Sequence, residues 1–305
     1  MRTLAHFVMR GRSQAAMAAT VPAVLALLLP MLGIVSSAVV ALVTLRAGAR
    51  DGLIVSAISS IASSLLTYLL LGTLKPALGF LLVLWLPAWA LGILLRRSRS
   101  LSLMVQTALG FGLLLVALLH LALGDPQAQW VQILQPLAEG LVQSNLMEPA
   151  ESQGLVQSMA NWMTGFLAAG FYLQLLLAVF LARIWQAQLY NPGGFMAEFQ
   201  GLRVHGSIAL MVLPLFAMAW LQGAMAPALV RDLALLLAPL WLVQGMAVAH
   251  GAALQARLHP GWLVTLYALL LIAPAPAMTL VILVGLVDVP VDFRARLSLK
   301  SGPEQ

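Results

Sequence analysis

The amino-acid sequence predicts an all-α polytopic membrane protein, a transmembrane helical bundle of eight to ten membrane-crossing segments with short or broken helices at both ends. Eight stretches of at least 20 residues contain no Asp, Glu, Lys or Arg. About 20 apolar residues in a helix span a bilayer core about 30 Å thick. Only 9% of the 305 residues are charged and 62% are hydrophobic, too little charge to cover a soluble domain of this size. The uncharged stretches are residues 13–45, 52–74, 76–95, 100–124, 152–182, 204–230, 233–256 and 258–287.

Composition and motifs argue against several kinds of functional site. The chain has no cysteine, which excludes a disulfide framework, a thiol nucleophile and a cysteine metal site. No phosphate-binding G-x-x-x-x-G-K-[ST] loop and no zinc-binding H-E-x-x-H motif occurs, and the serines of the predicted spans lack a nearby base. We therefore expect no enzyme activity, no cofactor and no metal. The net charge is +6. The basic residues lie between apolar stretches, which indicates contact with the lipid bilayer and not with nucleic acid.

The first apolar stretch, residues 13–45, is predicted to form an uncleaved membrane segment of two short helices. Three arginines precede it within residues 1–12, and Arg46 and Arg50 follow it. Because basic loops stay in the cytoplasm, both of its ends are expected inside. The stretch is too long for one upright span, and a break between Pro30 and Gly33 allows a hairpin. One long tilted helix is the alternative, which inverts every later loop.

Six further spans are predicted between charged loops. The distribution of Lys and Arg places residues 1–12, 46–51, 96–100 and 184–206 in the cytoplasm and residues 124–161 outside it. We therefore expect one integral membrane domain, residues 1–305, with both termini cytoplasmic. The spans are residues 52–72, 77–95, 101–123, 163–183, 207–225 and 232–250.

The last apolar stretch, residues 258–287, is interrupted by Pro274 and Pro276. A broken or re-entrant segment keeps both ends in the cytoplasm, whereas one kinked span places the basic tail, residues 289–305, outside. Two crossings at each end of the chain make ten in all, and one at each end makes eight. Interrupted segments mark binding sites in some transporters, although proline is also common in ordinary membrane helices.

One predicted span carries a continuous polar face. Hydroxyl side chains recur from Ser56 to Thr67 at i, i+3, i+4, i+7, i+8 and i+11. Small residues at this spacing let helices pack closely, and the same face is alternatively a hydroxyl-lined ligand site. The candidate ligand-binding residues are Ser56, Ser60, Ser63, Ser64, Thr67 and Tyr68.

The distribution of charge favours a neutral ligand. Every Asp and Glu falls in a loop or at the end of a predicted span, and His120 and His250 lie near span ends. Carriers coupled to protons or sodium use an intramembrane carboxylate or histidine. In residues 124–161, apolar residues from Trp130 to Val142 recur at helical spacing, which predicts an amphipathic helix, either a lid over a ligand or an interfacial helix.

The cytoplasmic segment of residues 185–205 is the most distinctive local sequence. Asn191-Pro192-Gly193-Gly194 predicts a tight turn, since proline fixes one φ and glycine allows a positive one. The apolar residues that follow recur at the spacing of one face of a short helix, with Glu198 and Arg203 on its polar flanks. The segment is either an interfacial turn anchored by aromatic residues or a docking surface for a partner. The candidate docking residues are Trp185, Tyr190, Asn191, Pro192, Gly193, Gly194, Phe195, Glu198 and Arg203.

Through this turn, with Glu198-Phe199, Leu202-Arg203 and the later Asp292-Phe293-Arg294, the sequence resembles the YybS-like family of bacterial polytopic membrane proteins. That family is distantly similar to the S-components of energy-coupling-factor vitamin transporters. The resemblance implies partnership with a transmembrane coupling subunit and an ATPase. S-components dock the coupling subunit through an Ala-x-x-x-Ala face, and Ala15, Ala19 and Ala23 have this spacing.

Two functions follow from these observations. The first is a substrate-binding transport subunit for a small neutral or vitamin-like organic solute, energised by partner subunits. The second is a membrane scaffold or assembly factor that does not transport and that docks partners through residues 185–205.

Overall fold

The computed structural model describes residues 2–259 and 261–300. Residue 1 of the predicted cytoplasmic N-terminus and residues 301–305 of the predicted basic tail lie outside the described residues. Throughout the described ranges, every regular element is a helix. Six of these helices are long and apolar enough to cross a membrane, and three shorter ones are also apolar. The all-α polytopic membrane fold is therefore confirmed.

Short connections join the successive helices. They are α1 (Arg2–Val8), α2 (Arg12–Leu25), α3 (Leu32–Arg46), α4 (Ala49–Leu71), α5 (Lys75–Gly79), a π-helical turn (Phe80–Trp85), α6 (Leu86–Ser98), α7 (Leu101–Leu123), α8 (Pro126–Gln143), α9 (Pro149–Tyr190), α10 (Gly194–Gln200), α11 (Gly206–Gln222), a 3₁₀ turn (Gly223–Met225), α12 (Ala228–Gln255), α13 (Gly261–Ile272), α14 (Pro274–Val291) and α15 (Phe293–Lys300).

The chain folds as two compact units. Unit 1 comprises the residues up to Ala108 together with Leu173–Leu202, and unit 2 comprises Leu109–Tyr172 together with the residues from Arg203 onward.

The first apolar stretch of the chain forms two short helices in unit 1. Helix α2 ends at Leu25 and α3 begins at Leu32. Pro30 lies in the connection, where it disfavours helical backbone at the preceding residue. The predicted break is therefore confirmed.

A π-helical turn interrupts the span from α5 to α6. Pro87 lies just beyond this turn and has no backbone N–H, so the helical hydrogen bonding changes around it. Trp85 is fully buried, and its indole N–H donates a hydrogen bond to the Ser36 hydroxyl at 2.8 Å. Ser36 in turn donates to the Ala19 carbonyl at 2.7 Å. This chain of hydrogen bonds joins three segments of unit 1 within its apolar interior.

Helix α9 is longer than its predicted span of residues 163–183. It runs for 42 residues from Pro149 to Tyr190. Residues 149–161 and 184–190, which the sequence analysis assigned to loops, are therefore helical. The assignment followed the charged residues, but backbone hydrogen bonding within a helix does not require an apolar environment and continues past them.

In unit 2, helices α12 and α14 cross at two glycines. A methyl group added to Gly245 would overlap the Val281 carbonyl, and one added to Gly285 would overlap the Trp241 carbonyl. The two backbones therefore lie in direct contact, as small residues permit between membrane helices.

The last apolar stretch is also broken as predicted. Ala273 separates α13 from α14, and Pro274 occupies the first turn of α14. Proline is favoured at this position because the first N–H groups of a helix have no partner within it.

We expect Gly285→Ala to lower the free energy of unfolding by about 1–3 kcal/mol, the usual cost of overpacking an interior. Reversible unfolding in detergent micelles measures the change. Gly170→Ala is the matched control, because Gly170 is also helical and a methyl group there meets no atom within 4 Å. Equal stability of the two variants would contradict the close crossing.

Candidate functional sites

The predicted ligand-binding residues of α4 lie on a face that packs within unit 1. The hydroxyl groups of four of them donate to carbonyl oxygens of the same helix, as from Thr67 to Ser63 at 2.8 Å; the four are Ser56, Ser60, Ser63 and Thr67. Ser59, on the same face, donates to Ala16 of α2 at 3.2 Å. Hydroxyls bonded in this way are satisfied without a ligand, so the geometry favours the packing interpretation. Ser56, Ser63 and Thr67 are buried, Ser60 and Ser64 are half-buried, and Tyr68 is exposed.

The alanine face proposed for docking is also internal. Ala15, Ala19 and Ala23 are at most 1% exposed and belong to α2, which packs against α3 and α4. A partner could not reach them without separating these helices. The docking role that the resemblance implied for these three alanines is therefore corrected: they hold unit 1 together.

The tight turn at residues 191–194 connects α9 to α10. The Gly194 N–H donates to the Asn191 carbonyl at 3.0 Å. Gly193 has φ +84°, a left-handed conformation that is costly for residues with a Cβ atom. Glycine at this position is what lets the chain reverse directly into α10.

Helix α10 is held against α9 by charge and by aromatic contacts. Arg183 donates two hydrogen bonds to Glu198, at 3.0 Å and 2.5 Å, a bidentate geometry that is among the stronger ion pairs. The rings of Phe180, Phe195 and Phe199 lie 5.7 to 5.9 Å apart. Phe195 and Glu198 therefore make internal contacts in addition to any role toward a partner.

The two aromatic residues predicted at headgroup level differ in exposure. Trp185 is 2% exposed, whereas Tyr190 is 48% exposed. The Arg46 guanidinium lies 4.2 Å from the centre of the Tyr190 ring. The assignment of Trp185 to an accessible surface is corrected, since the packing of α9 buries its ring inside unit 1.

An open cleft of about 590 Å³ lies beside this turn. Arg2 of α1 closes one side, where it donates to the Gln188 carbonyl at 3.2 Å. The cleft makes part of the predicted docking segment accessible. Its lining includes Ile184, Pro192, Gly193, Phe195 and Met196.

Arg203, the last predicted docking residue, belongs to unit 2. Its guanidinium forms a bidentate ion pair with the Asp292 carboxylate, with hydrogen bonds of 2.5 Å and 2.8 Å. This contact joins the segment before α11 to the start of α15. The Arg203 guanidinium holds the pKa of the Asp292 carboxyl below its usual value.

A buried polar network, which we call the clasp, lies beside this ion pair. Gln244 of α12 accepts from the Val204 N–H at 3.2 Å and donates to Asp288 at 3.0 Å. Arg294 donates to the same carboxylate at 2.9 Å, and the Asp288 and Arg294 side chains are each 3% exposed. The clasp secures the segment before α11 and helix α15 to α12 and α14.

A second buried group of charged residues lies where α7 ends and α12 begins. His120 Nε2 lies 2.8 Å from Asp232 Oδ2, and the aspartate side chain is 4% exposed. Arg231 is buried, donates to the Ala226 carbonyl at 2.8 Å and lies 5.8 Å from the centre of the Trp162 ring. We call His120, Arg231 and Asp232 the α8-side cluster.

Helix α8 is attached close to this cluster. The Trp130 indole N–H donates to the Thr164 hydroxyl of α9 at 2.8 Å. At the next residue, Gly165, α9 passes so near α12 that an added methyl group would lie 2.9 Å from the Asp232 Cα atom. Thr164, which holds Trp130 of the predicted amphipathic helix, is therefore next in sequence to Gly165, where α9 meets α12 beside Asp232.

The α8-side cluster and the clasp were missed by the sequence analysis. Their acidic residues lie within the first or last turns of apolar helices, where the sequence suggested solvated span ends. Arg231 beside Asp232 in an otherwise apolar stretch was the available signal, since a charge pair entering a span suggests internal partners.

Metal ligands do not cluster in the described part of the chain. Across residues 2–259 and 261–300, no group of three or more His, Asp or Glu side chains is arranged to hold a metal ion.

Comparison with known proteins identifies a family for the chain. A family model described as "Predicted membrane protein (DUF2232)" matches residues 17–289. No curated protein and no solved structure matches the chain. The family match covers most of the chain and supports the membrane fold, and the finer resemblance to S-components stays a prediction.

We expect Asp292→Asn to lower the thermal unfolding midpoint at pH 7 and to have little effect at a pH below the folded-state pKa of Asp292. Because the folded-state pKa of Asp292 is lowered, its stabilisation is present above the unfolded pKa of about 3.9 and is lost as pH falls through the folded pKa. Arg203→Gln should cause the same loss, and the double variant should lose no more than either alone. A difference from the wild type that is the same at both pH values would contradict this ion pair.

Proposed function

Because the chain belongs to the DUF2232 family of predicted membrane proteins, we propose that it is a multi-pass membrane subunit that binds a small neutral organic solute. We place it in the bacterial cytoplasmic membrane with α8 on the outer side, as the distribution of Lys and Arg predicts. Transport is powered by partner subunits, a coupling subunit and an ATPase, and no catalytic step occurs in this chain.

The α8-side cluster carries this proposal. Removing two charges from water costs several kcal/mol per ion, and a pair recovers that cost only with good geometry. Ionisable residues retained inside a membrane protein are functional candidates for that reason. The Asp232 carboxylate lies 2.8 Å from His120 Nε2 and follows the buried Arg231 in the sequence, so its negative charge is matched by basic groups of the cluster and is not available to bind a coupling cation. Such an environment suits a neutral ligand that forms hydrogen bonds.

Helix α8 supplies the cover for this site. Among the described residues, one hydrogen bond between side chains links it to α9, from Trp130 to Thr164. When α8 opens, this bond breaks, and the Trp130 indole N–H and the Thr164 hydroxyl group become accessible to a solute. The serine-rich face of α4 has no part in this proposal, since the hydroxyls of Ser56, Ser60, Ser63 and Thr67 already donate to backbone carbonyls.

We expect the protein purified in mild detergent to carry one organic solute at near-stoichiometric amounts, detected by mass spectrometry after solvent extraction. Asp232→Asn keeps the side-chain size but removes the charge that positions His120, so occupancy should fall about tenfold or more, as the loss of a charged hydrogen bond predicts. Glu139→Gln on α8 is the control and should retain the solute. A folded wild-type protein that repeatedly carries no solute would contradict the proposal.

A second candidate function is a scaffold that docks a protein partner through residues 185–205. The observation that favours it is the open cleft of about 590 Å³ beside the turn. A partner segment that inserts an apolar side chain against Phe195 and Met196 would fit this lining.

For this second function we expect Gly193→Val to abolish recovery of the partner in a pull-down. Gly193 has φ +84° and open space around it, so valine acts only through backbone strain of about 1–2 kcal/mol. Gly193→Asn should restore recovery, because asparagine tolerates the left-handed conformation. Unchanged recovery with valine would exclude docking through this turn.

A further inference from the structure

We propose that unit 1 contains a binding cleft for a phosphate group, carried either by a phospholipid headgroup or by a free phosphorylated compound. The cleft has a volume of about 320 Å³ and lies among the C-terminal ends of α3, α6 and α9. Its polar lining consists of Arg96, Arg99, Arg183, Gln186, Asn191 and Glu198. The cleft is separate from the α8-side cluster, so it does not depend on the proposed solute site.

The cleft carries an excess of positive charge. Arg183 and Glu198 neutralise each other through their bidentate pair. Arg96 and Arg99 add two positive charges, and neither has a carboxylate within 4.0 Å among the described residues. Guanidinium groups match the geometry of phosphate oxygens and bind them with two parallel hydrogen bonds.

Arg96 is held in place for such a contact. Its Nη1 group donates to the Thr44 and Leu45 carbonyls at 3.3 Å and 3.1 Å. Its Nε and Nη2 groups, which carry the three remaining N–H donors of the guanidinium, have no partner in the described part of the chain. A fixed guanidinium with donors to spare loses little entropy when an anion binds.

Amide groups complete the polar lining. Gln186 and Asn191 line the cleft, and each side chain carries an NH₂ group that can donate to an anion. The nearby Arg46 is stacked on the exposed Tyr190 ring, and arginine and tyrosine are typical of the level of lipid headgroups. Basic pockets between membrane helices on the cytoplasmic side bind anionic headgroups.

Arginines at helix C-termini also have a simpler role, because they compensate the unpaired carbonyl groups there. This role makes a different prediction. If it were the whole explanation, replacing Arg96 or Arg99 would reduce stability and leave anion binding unchanged.

The test uses the full-length protein in lipid nanodiscs with two probes. The first is phosphatidylglycerol in a phosphatidylcholine background, counted by native mass spectrometry. The second is inorganic phosphate titrated into pure phosphatidylcholine discs and followed by ³¹P NMR. Arg99→Asn is the first variant, because Arg99 has φ +52° and asparagine tolerates that conformation. Arg97→Asn is the matched control, because Arg97 lies two residues before Arg99 and does not line the cleft.

We expect Arg99→Asn to weaken binding about fivefold and Arg96→Gln with Arg99→Asn about thirtyfold, at roughly 1 kcal/mol per arginine near an anionic headgroup. Arg97→Asn should stay within about twofold of the wild type. An effect confined to phosphatidylglycerol assigns the cleft to a lipid headgroup, and an effect on inorganic phosphate assigns it to a free phosphorylated compound. Equal losses in the Arg97 control and the double variant, or unchanged binding in a destabilised double variant, would overturn the proposal.

Discussion

Lipid tails form no hydrogen bonds, so polar groups within the spans must find their partners inside the protein. In unit 1, Trp85 donates to Ser36, and Ser36 donates to a carbonyl of α2. In unit 2, Gln244 and Arg294 surround the Asp288 carboxylate. Lipid also removes the hydrophobic effect as a force between helices, so the helices associate through close van der Waals contact. Small residues permit that close contact. The contact between α12 and α14 at Gly285 is one result.

This constraint also directs function to the ends of the helices. Charged groups collect where spans end, and there they form the α8-side cluster, the turn after α9 and the cleft that contains Arg96 and Arg99. At each place an ion pair already satisfies part of the charge, as between Arg183 and Glu198. What remains in unit 1 is a limited set of donors, the guanidinium groups of Arg96 and Arg99.

The fold was largely predictable, because long uncharged stretches and proline positions respond to the bilayer in a simple way. The breaks near Pro30 and Pro274 occur where the sequence indicated them. The sites were less predictable, because a helical face has the same periodicity whether it meets a ligand or another helix. The hydroxyl face that includes Ser63 is therefore a packing surface. The partnership of His120 with Asp232 joins residues 112 positions apart, and no local pattern in one sequence reports such a pairing.

The central claim is that lipid surrounds the apolar faces of these helices. Since the chain has no cysteine, single cysteines can be placed at Leu114, Ser144 and Arg97, all of which are exposed on the protein. A membrane-impermeant maleimide should label Ser144→Cys in intact cells and Arg97→Cys only after permeabilisation. Leu114→Cys, in the middle of α7, should stay unlabelled in both until detergent is added. Labelling of Leu114→Cys at the rate of Ser144→Cys in intact membranes would contradict the account.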